Sequence, residues 1–110
     1  MRGIKKMFER YKRFFKLEEM ATIGYVGELK IEIFNDHNPP HFHVTKKDCY
    51  EVRISIDTKS IISYKWQKKG KTISTQEYNE VMKWLKSKNI KNKKISNEEA
   101  IILTWDFMNE

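Results

Sequence analysis

The chain has 110 residues and a formal net charge of +7, a size that fits one domain with a single hydrophobic core. Charged residues make up 34% of the sequence and interrupt every apolar run before the roughly 18 residues that a membrane-spanning helix needs. No apolar signal-peptide core follows the basic N-terminus, and Cys49 is the only cysteine. We therefore expect a cytoplasmic protein without an internal disulfide. The positive charge favours an acidic partner: nucleic acid, an anionic membrane surface or an acidic protein.

Residues 1–19 have the pattern of a basic amphipathic helix. Apolar residues recur at steps of three and four positions, and lysine and arginine cover the remaining faces. Such a helix packs on its own domain, lies on an anionic membrane, docks on a partner, or exchanges between protomers to form a homodimer. We interpret it as an extension ahead of a single α+β domain at residues 20–110. Its candidate residues for a nucleic-acid or partner-binding surface are Lys5, Lys12 and Arg13.

Alternation of apolar and polar residues predicts an antiparallel sheet of about four strands in the first part of this domain. A further short stretch, residues 21–25, is a candidate strand that pairs back on its neighbour. The four main predicted strands are residues 28–33, 41–45, 49–57 and 61–66.

The register of the central hairpin follows from which residues must share a face. A three-residue loop at residues 46–48 places the apolar residues of both strands together. This register predicts that His43 lies opposite Glu51 and that His41 lies opposite Arg53, with Cβ atoms roughly 5 Å apart.

Two C-terminal helices are predicted, because Ser74 and Ser96 are each followed three residues later by glutamate, as in a capping box. In the second helix, the spacing predicts that Leu103 belongs to the apolar stripe and that Trp105 lies on another face. A basic linker with little apolar content joins the helices. Its candidate residues for the nucleic-acid or partner-binding surface are Lys86, Lys88, Lys91, Lys93 and Lys94.

All three histidines of the chain lie within seven positions, together with both prolines. His41 and His43 are two apart on a strand, so their imidazoles project from one side, and His37 approaches from the preceding turn. Three imidazoles with one open position are typical of a catalytic zinc site. We therefore predict zinc or another divalent metal as a candidate cofactor, held by His37, His41, His43 and Glu51. Either Asp36 or Glu51 could supply the carboxylate ligand or a hydrogen bond behind a ligand.

Two other interpretations of this histidine-containing segment remain open. In the first, His37, His41 and His43 carry out metal-free acid–base catalysis on RNA while Arg53 stabilises negative charge on phosphate. The cation of Arg53, predicted opposite His41, favours this interpretation over a metal. In the second, the prolines and Asp36 only fix a tight corner, and polar side chains simply alternate along the sheet face.

Residues 36–43, with the sequence Asp-His-Asn-Pro-Pro-His-Phe-His, resemble the signature of a family of small bacterial proteins catalogued as domain of unknown function 4160. Met20-Ala21-Thr22-Ile23 resembles the short opening segment of that family, although Ala21 replaces its usual proline. The resemblance spans residues 20–108, so residues 1–19 inherit nothing from it. It implies no settled activity. It implies association with toxin–antitoxin pairs and a candidate partner encoded nearby, another small protein.

These observations predict an α+β protein that is a toxin–antitoxin-associated component and acts by binding nucleic acid or a partner protein. The alternative is a small histidine-dependent hydrolase, ribonuclease-like or zinc-dependent, that uses His37, His41 and His43.

Overall fold

Five strands in the order β1-β2-β3-β4-β5 form one antiparallel sheet in the computed structural model, which describes residues 20–109. The α+β class and the antiparallel sheet are confirmed. The sheet has five strands rather than about four, because the candidate strand at residues 21–25 pairs with β2, with one register shift between Thr22 and Gly24. The predicted N-terminal helix with Lys5, Lys12 and Arg13 lies outside the described residues. The elements are β1 (Met20–Val26), β2 (Leu29–Phe34), β3 (His41–Lys46), β4 (Tyr50–Ser55), β5 (Ile61–Gln67), α1 (Thr75–Leu85) and α2 (Asn97–Met108).

The three central strands bury their apolar face in the core. Phe42 and Val44 on β3 and Val52 and Ile54 on β4 are fully buried, and they form one cluster with side chains from both helices. Because side chains alternate along a strand, the histidines and charged residues between these positions lie on the opposite face. The apolar pattern therefore places His41 and His43 side by side on the polar face of β3.

The predicted register of the β3–β4 hairpin is wrong by two residues. His43 pairs with Arg53, and His41 pairs with Ser55. A shift of two residues leaves every side chain on the same face, so the apolar pattern fits both registers equally well. The reversal uses residues 47–49, with Asp48 in the left-handed region at a φ of 63° and the Cys49 N–H donating to the Lys46 carbonyl. Arg53 is consequently the direct neighbour of His43 rather than of His41.

Both helices begin at the predicted capping boxes, with Ser74 and Ser96 as the N-cap residues. The predicted apolar face of α2 is wrong at two positions, because Trp105 is buried at 6% exposure while Leu103 is 45% exposed. Apolar residues surround most of this helix, so their spacing does not identify the inward face. Of the helices in the described range, none is long and apolar enough to cross a membrane.

Glu77 connects α1 to the β3–β4 hairpin. Its carboxylate accepts hydrogen bonds from Lys46 Nζ at 2.8 Å, Tyr50 Oη at 3.2 Å and the Ser74 N–H at 2.9 Å. Burial alone raises the pKa of Glu77, but the hydrogen bonds from Lys46 and Ser74 outweigh it, so this pKa lies below its usual value. The ionised carboxylate therefore stabilises the folded protein.

The substitution Glu77→Gln should lower the free energy of unfolding by roughly 1 kcal/mol at neutral pH. Since the pKa of Glu77 is lower in the folded than in the unfolded chain, its contribution is present above the unfolded value of 4.5 and is lost as the pH falls through the folded value. Urea unfolding from pH 7 to pH 3 measures the difference between the two proteins. Glu80→Gln, on an exposed position of the same helix, is the control. A difference that persists unchanged at acidic pH contradicts this account.

Candidate metal centre

The corner between β2 and β3 is fixed by the end of helix α2. The backbone N–H of Asp36 donates to Asn109 Oδ1 at 2.7 Å, and Asn109 Nδ2 donates to the Phe34 carbonyl at 3.1 Å. On the other side of the corner, the Pro40 carbonyl accepts a hydrogen bond from the Ile56 N–H at 3.0 Å. These long-range bonds hold the Asp36 carboxylate next to the first residues of β3.

Both histidines of β3 have a defined ring orientation. His41 Nδ1 lies 2.8 Å from the Pro39 carbonyl oxygen, and His43 Nδ1 lies 2.8 Å from Glu51 Oε2. A carbonyl and a carboxylate only accept hydrogen bonds, so each Nδ1 carries the proton. A neutral ring in this tautomer presents the lone pair of its Nε2 atom.

The two Nε2 atoms converge on Asp36. Asp36 Oδ2 lies 3.2 Å from His41 Nε2 and 3.7 Å from His43 Nε2, and the three ligand atoms all lie within 4.8 Å of one another. Tetrahedral ligands at zinc distances are separated by about 3.3 Å. The two separations from Asp36 Oδ2, 3.2 and 3.7 Å, are close to this spacing, so the three residues could hold one metal ion.

The protonation states distinguish a metal from a simple ion pair. If His41 Nε2 carries a proton, it can donate a hydrogen bond to Asp36, but His43 Nε2 is then left without a hydrogen bond. That atom is fully buried and has no hydrogen-bond partner among the described residues. A buried nitrogen without a partner is costly. A divalent cation between the three atoms satisfies all of them at once.

Glu51 lies behind His43 rather than in the converging group. Its second oxygen, Oε1, accepts a hydrogen bond from Trp66 Nε1 at 3.1 Å, and Lys65 Nζ lies 3.8 Å from Oε2. A carboxylate that accepts the N–H of a metal-binding histidine fixes the ring and makes its other nitrogen a better ligand. Glu51 therefore lies where an orienting group would lie, which is one of the two roles expected for it from the sequence.

Aromatic rings pack around the two imidazoles. The Phe34 ring centroid is 4.3 Å from that of His43, and the Trp105 centroid is 5.3 Å from that of His41. His43 is 1% exposed, whereas the side chain of Asp36 is 29% exposed. The group is therefore enclosed on the histidine side and reaches solvent through Asp36.

The local electrostatics favour a neutral His43 ring and an ionised Asp36 carboxylate. Burial lowers the pKa of His43 and outweighs the opposite effect of Glu51, so the ring is neutral at physiological pH. Burial raises the pKa of Asp36, but the His37 N–H and the His41 ring outweigh it, so this pKa lies below its usual value. Metal binding needs a neutral imidazole and an ionised carboxylate.

The structure does not bring all predicted site residues together. The side chain of His37 is exposed and outside the converging group, although its backbone N–H donates to Asp36 Oδ1 at 2.8 Å. Arg53 lies beside His43 and donates to Ser63 Oγ at 3.1 Å. The predicted surface lysines of the linker are all exposed: Lys86, Lys88, Lys91, Lys93 and Lys94.

Sequence reasoning missed two residues that position the group. Trp105 packs against His41, and Asn109 holds the backbone of Asp36 from 73 residues away in the chain. No local pattern predicts a contact of that separation. Asp36 was identifiable from the sequence as a candidate ligand, since it is the one acidic residue in the segment that contains the three histidines.

The fold and this group define a small α+β domain with a cluster of two buried histidines and one partly exposed carboxylate. The chain matches a family model described as "Domain of unknown function (DUF4160)" over residues 29–93, which is more than half of its length. The chain belongs to this family, and the matched range contains all three residues of the cluster. Searches among curated proteins and among solved structures found no match.

Proposed function

We propose that this protein is a small metal-dependent hydrolase whose ion is held by Asp36, His41 and His43. The observation that carries the proposal is the convergence of three acceptor atoms, one of them a buried His43 Nε2 with no hydrogen-bond partner within residues 20–109. Three protein ligands leave a coordination position for water, and a bound ion such as Zn²⁺ lowers the pKa of that water toward neutrality. The partly exposed Asp36 marks the side from which water and substrate approach.

The substrate class that fits this face is a phosphodiester, which makes the enzyme ribonuclease-like. Arg53 is the strand partner of His43. Within the described residues its guanidinium group donates one hydrogen bond, to Ser63. A guanidinium group binds phosphate oxygens in a forked geometry and stabilises charge that develops on them. In this proposal Glu51 keeps His43 in its metal-binding tautomer, and Arg53 orients the substrate.

Metal-dependent cleavage tests this proposal. Chelator-treated protein reloaded with Zn²⁺ or Mn²⁺ is incubated with total RNA and with bis(p-nitrophenyl) phosphate. We expect cleavage only after reloading, a loss of more than about 100-fold in Asp36→Asn, and no loss in His37→Ala. No cleavage with either metal, or identical RNA patterns for wild type and Asp36→Asn, refutes the hydrolase proposal.

The second proposed function is binding, in the toxin–antitoxin context that the family resemblance implies. The observation that favours it is the set of five exposed linker lysines, none of which forms an ion pair with the described part of the chain. Exposed, unpaired cations attract an acidic macromolecule at long range. This function does not depend on the metal.

A further inference from the structure

The linker between the helices is a fixed loop rather than a loose connection. We call residues 86–95 the basic loop. Asn89 and Asn97 are both buried, and Asn89 Nδ2 donates to Asn97 Oδ1 at 3.1 Å. Asn89 Oδ1 in turn accepts the N–H groups of Lys91 and Asn92, each at 3.0 Å. Two buried amide side chains therefore hold the loop in one shape.

The fixed loop presents an apolar side chain to solvent. Ile90 follows Asn89 directly and is 87% exposed. Its neighbours in the chain include the exposed Lys88 and Lys91, and Lys93 and Lys94 follow. A single exposed isoleucine is ordinary on a protein surface. An isoleucine on a loop held by buried hydrogen bonds and surrounded by cations is a preorganised apolar anchor with a charged rim.

The composition of the loop selects among acidic partners. Nucleic-acid binding through bases uses aromatic rings or arginine, and residues 86–95 contain neither. Insertion into an anionic membrane needs a broad apolar face, whereas the exposed apolar group at this tip is Ile90 alone. One aliphatic side chain within a ring of lysines matches a small apolar pocket bordered by carboxylates on another protein.

We propose that the basic loop docks on an acidic protein, with Ile90 seated in an apolar pocket and the surrounding lysines paired with carboxylates. This inference rests on the second proposed function and names the chemistry of the partner. The loop precedes the first residue of α2, while Trp105 and Asn109 hold the metal-binding group near the last one. Twelve helical residues span about 18 Å, so the basic loop and the metal-binding group lie near opposite ends of α2.

Selection from a displayed library of random twelve-residue peptides tests the proposal, with the full chain as the immobilised target. We expect enriched peptides that combine acidic residues with at least one large apolar residue. Ile90→Ser should weaken their binding at least tenfold. The triple variant K88Q/K91Q/K93Q should weaken it and flatten its salt dependence. The matched control is K68Q/K69Q/K71Q, which removes three exposed lysines from the turn after β5 and should leave binding unchanged.

Two further probes separate failure of the inference from failure of the second proposed function. A twenty-nucleotide RNA that binds wild type and Ile90→Ser equally, but not K88Q/K91Q/K93Q, overturns the protein partner and keeps acidic-partner binding. Phosphatidylglycerol vesicles that bind wild type and Ile90→Ser equally, but not K88Q/K91Q/K93Q, lead to the same conclusion. If no acidic peptide is enriched and neither RNA nor vesicles bind, both the inference and the second function are wrong.

Discussion

Replacing both converging histidines, in His41→Ala/His43→Ala, should weaken Zn²⁺ binding by more than about 100-fold. The wild type is expected to bind one equivalent, because the ligand atoms form one group within 4.8 Å. The double substitution leaves only the Asp36 carboxylate, which by itself is a weak zinc ligand. Isothermal titration of chelator-treated protein with Zn²⁺ measures the stoichiometry and the affinity.

The matched control is His37→Ala, which removes the third histidine of the same sequence block. His37 is exposed and outside the group, so its removal should leave zinc affinity unchanged. Thermal unfolding in chelator shows whether the double variant is folded, and the conservative His43→Gln offers a smaller perturbation of the buried site. If His37→Ala weakens binding as much as the double variant does, the assignment of Asp36 as the third ligand is wrong.

The substitution Trp105→Ala should lower the free energy of unfolding by about 3–5 kcal/mol. Trp105 lies on α2, is buried in the hydrophobic core and packs against His41, with the ring centroids 5.3 Å apart. Its removal therefore leaves a cavity and also frees the His41 ring to turn. We expect zinc affinity to fall by roughly tenfold, which is the size of effect seen when groups around a ligand are lost.

Urea unfolding in chelator measures the stability of this variant, and zinc titration of the remaining folded protein measures the effect on the site. Ile102→Ala is the matched control, since Ile102 is an exposed apolar residue of the same helix. Its cost should stay below about 1 kcal/mol, with zinc affinity unchanged. Equal destabilisation by the two substitutions contradicts the buried position of Trp105.

The strands were predictable because burial of one sheet face leaves a period of two in the sequence. The register between β3 and β4 was not, since a register shifted by two residues preserves that period and only the turn geometry at Asp48 distinguishes the two. The helix starts were predictable from Ser74 and Ser96, because a capping box is a local arrangement. The inward face of α2 was not, because apolar residues lie on most of its sides.

The site was also predictable in part, because side chains alternate along a strand. Alternation along one strand places His41 and His43 side by side, and this local rule identified two of the three converging residues. Whether His37 or Asp36 is the third converging residue depends on the conformation of the corner between β2 and β3. The distant Asn109 holds this corner through a hydrogen bond to the Asp36 backbone. The role of Glu51 depended on the register. Its carboxylate reaches His43 Nδ1 although Arg53, not Glu51, is the direct partner of His43.

X-ray absorption at the zinc edge of protein loaded with one equivalent of Zn²⁺ tests the metal centre most directly. The arrangement of Asp36, His41 and His43 predicts two imidazole nitrogens and at least one oxygen at about 2.0–2.2 Å, with the multiple scattering that imidazole rings produce. A first shell of oxygen alone, without imidazole scattering, contradicts it. The two rings would then serve only to hold the corner between β2 and β3.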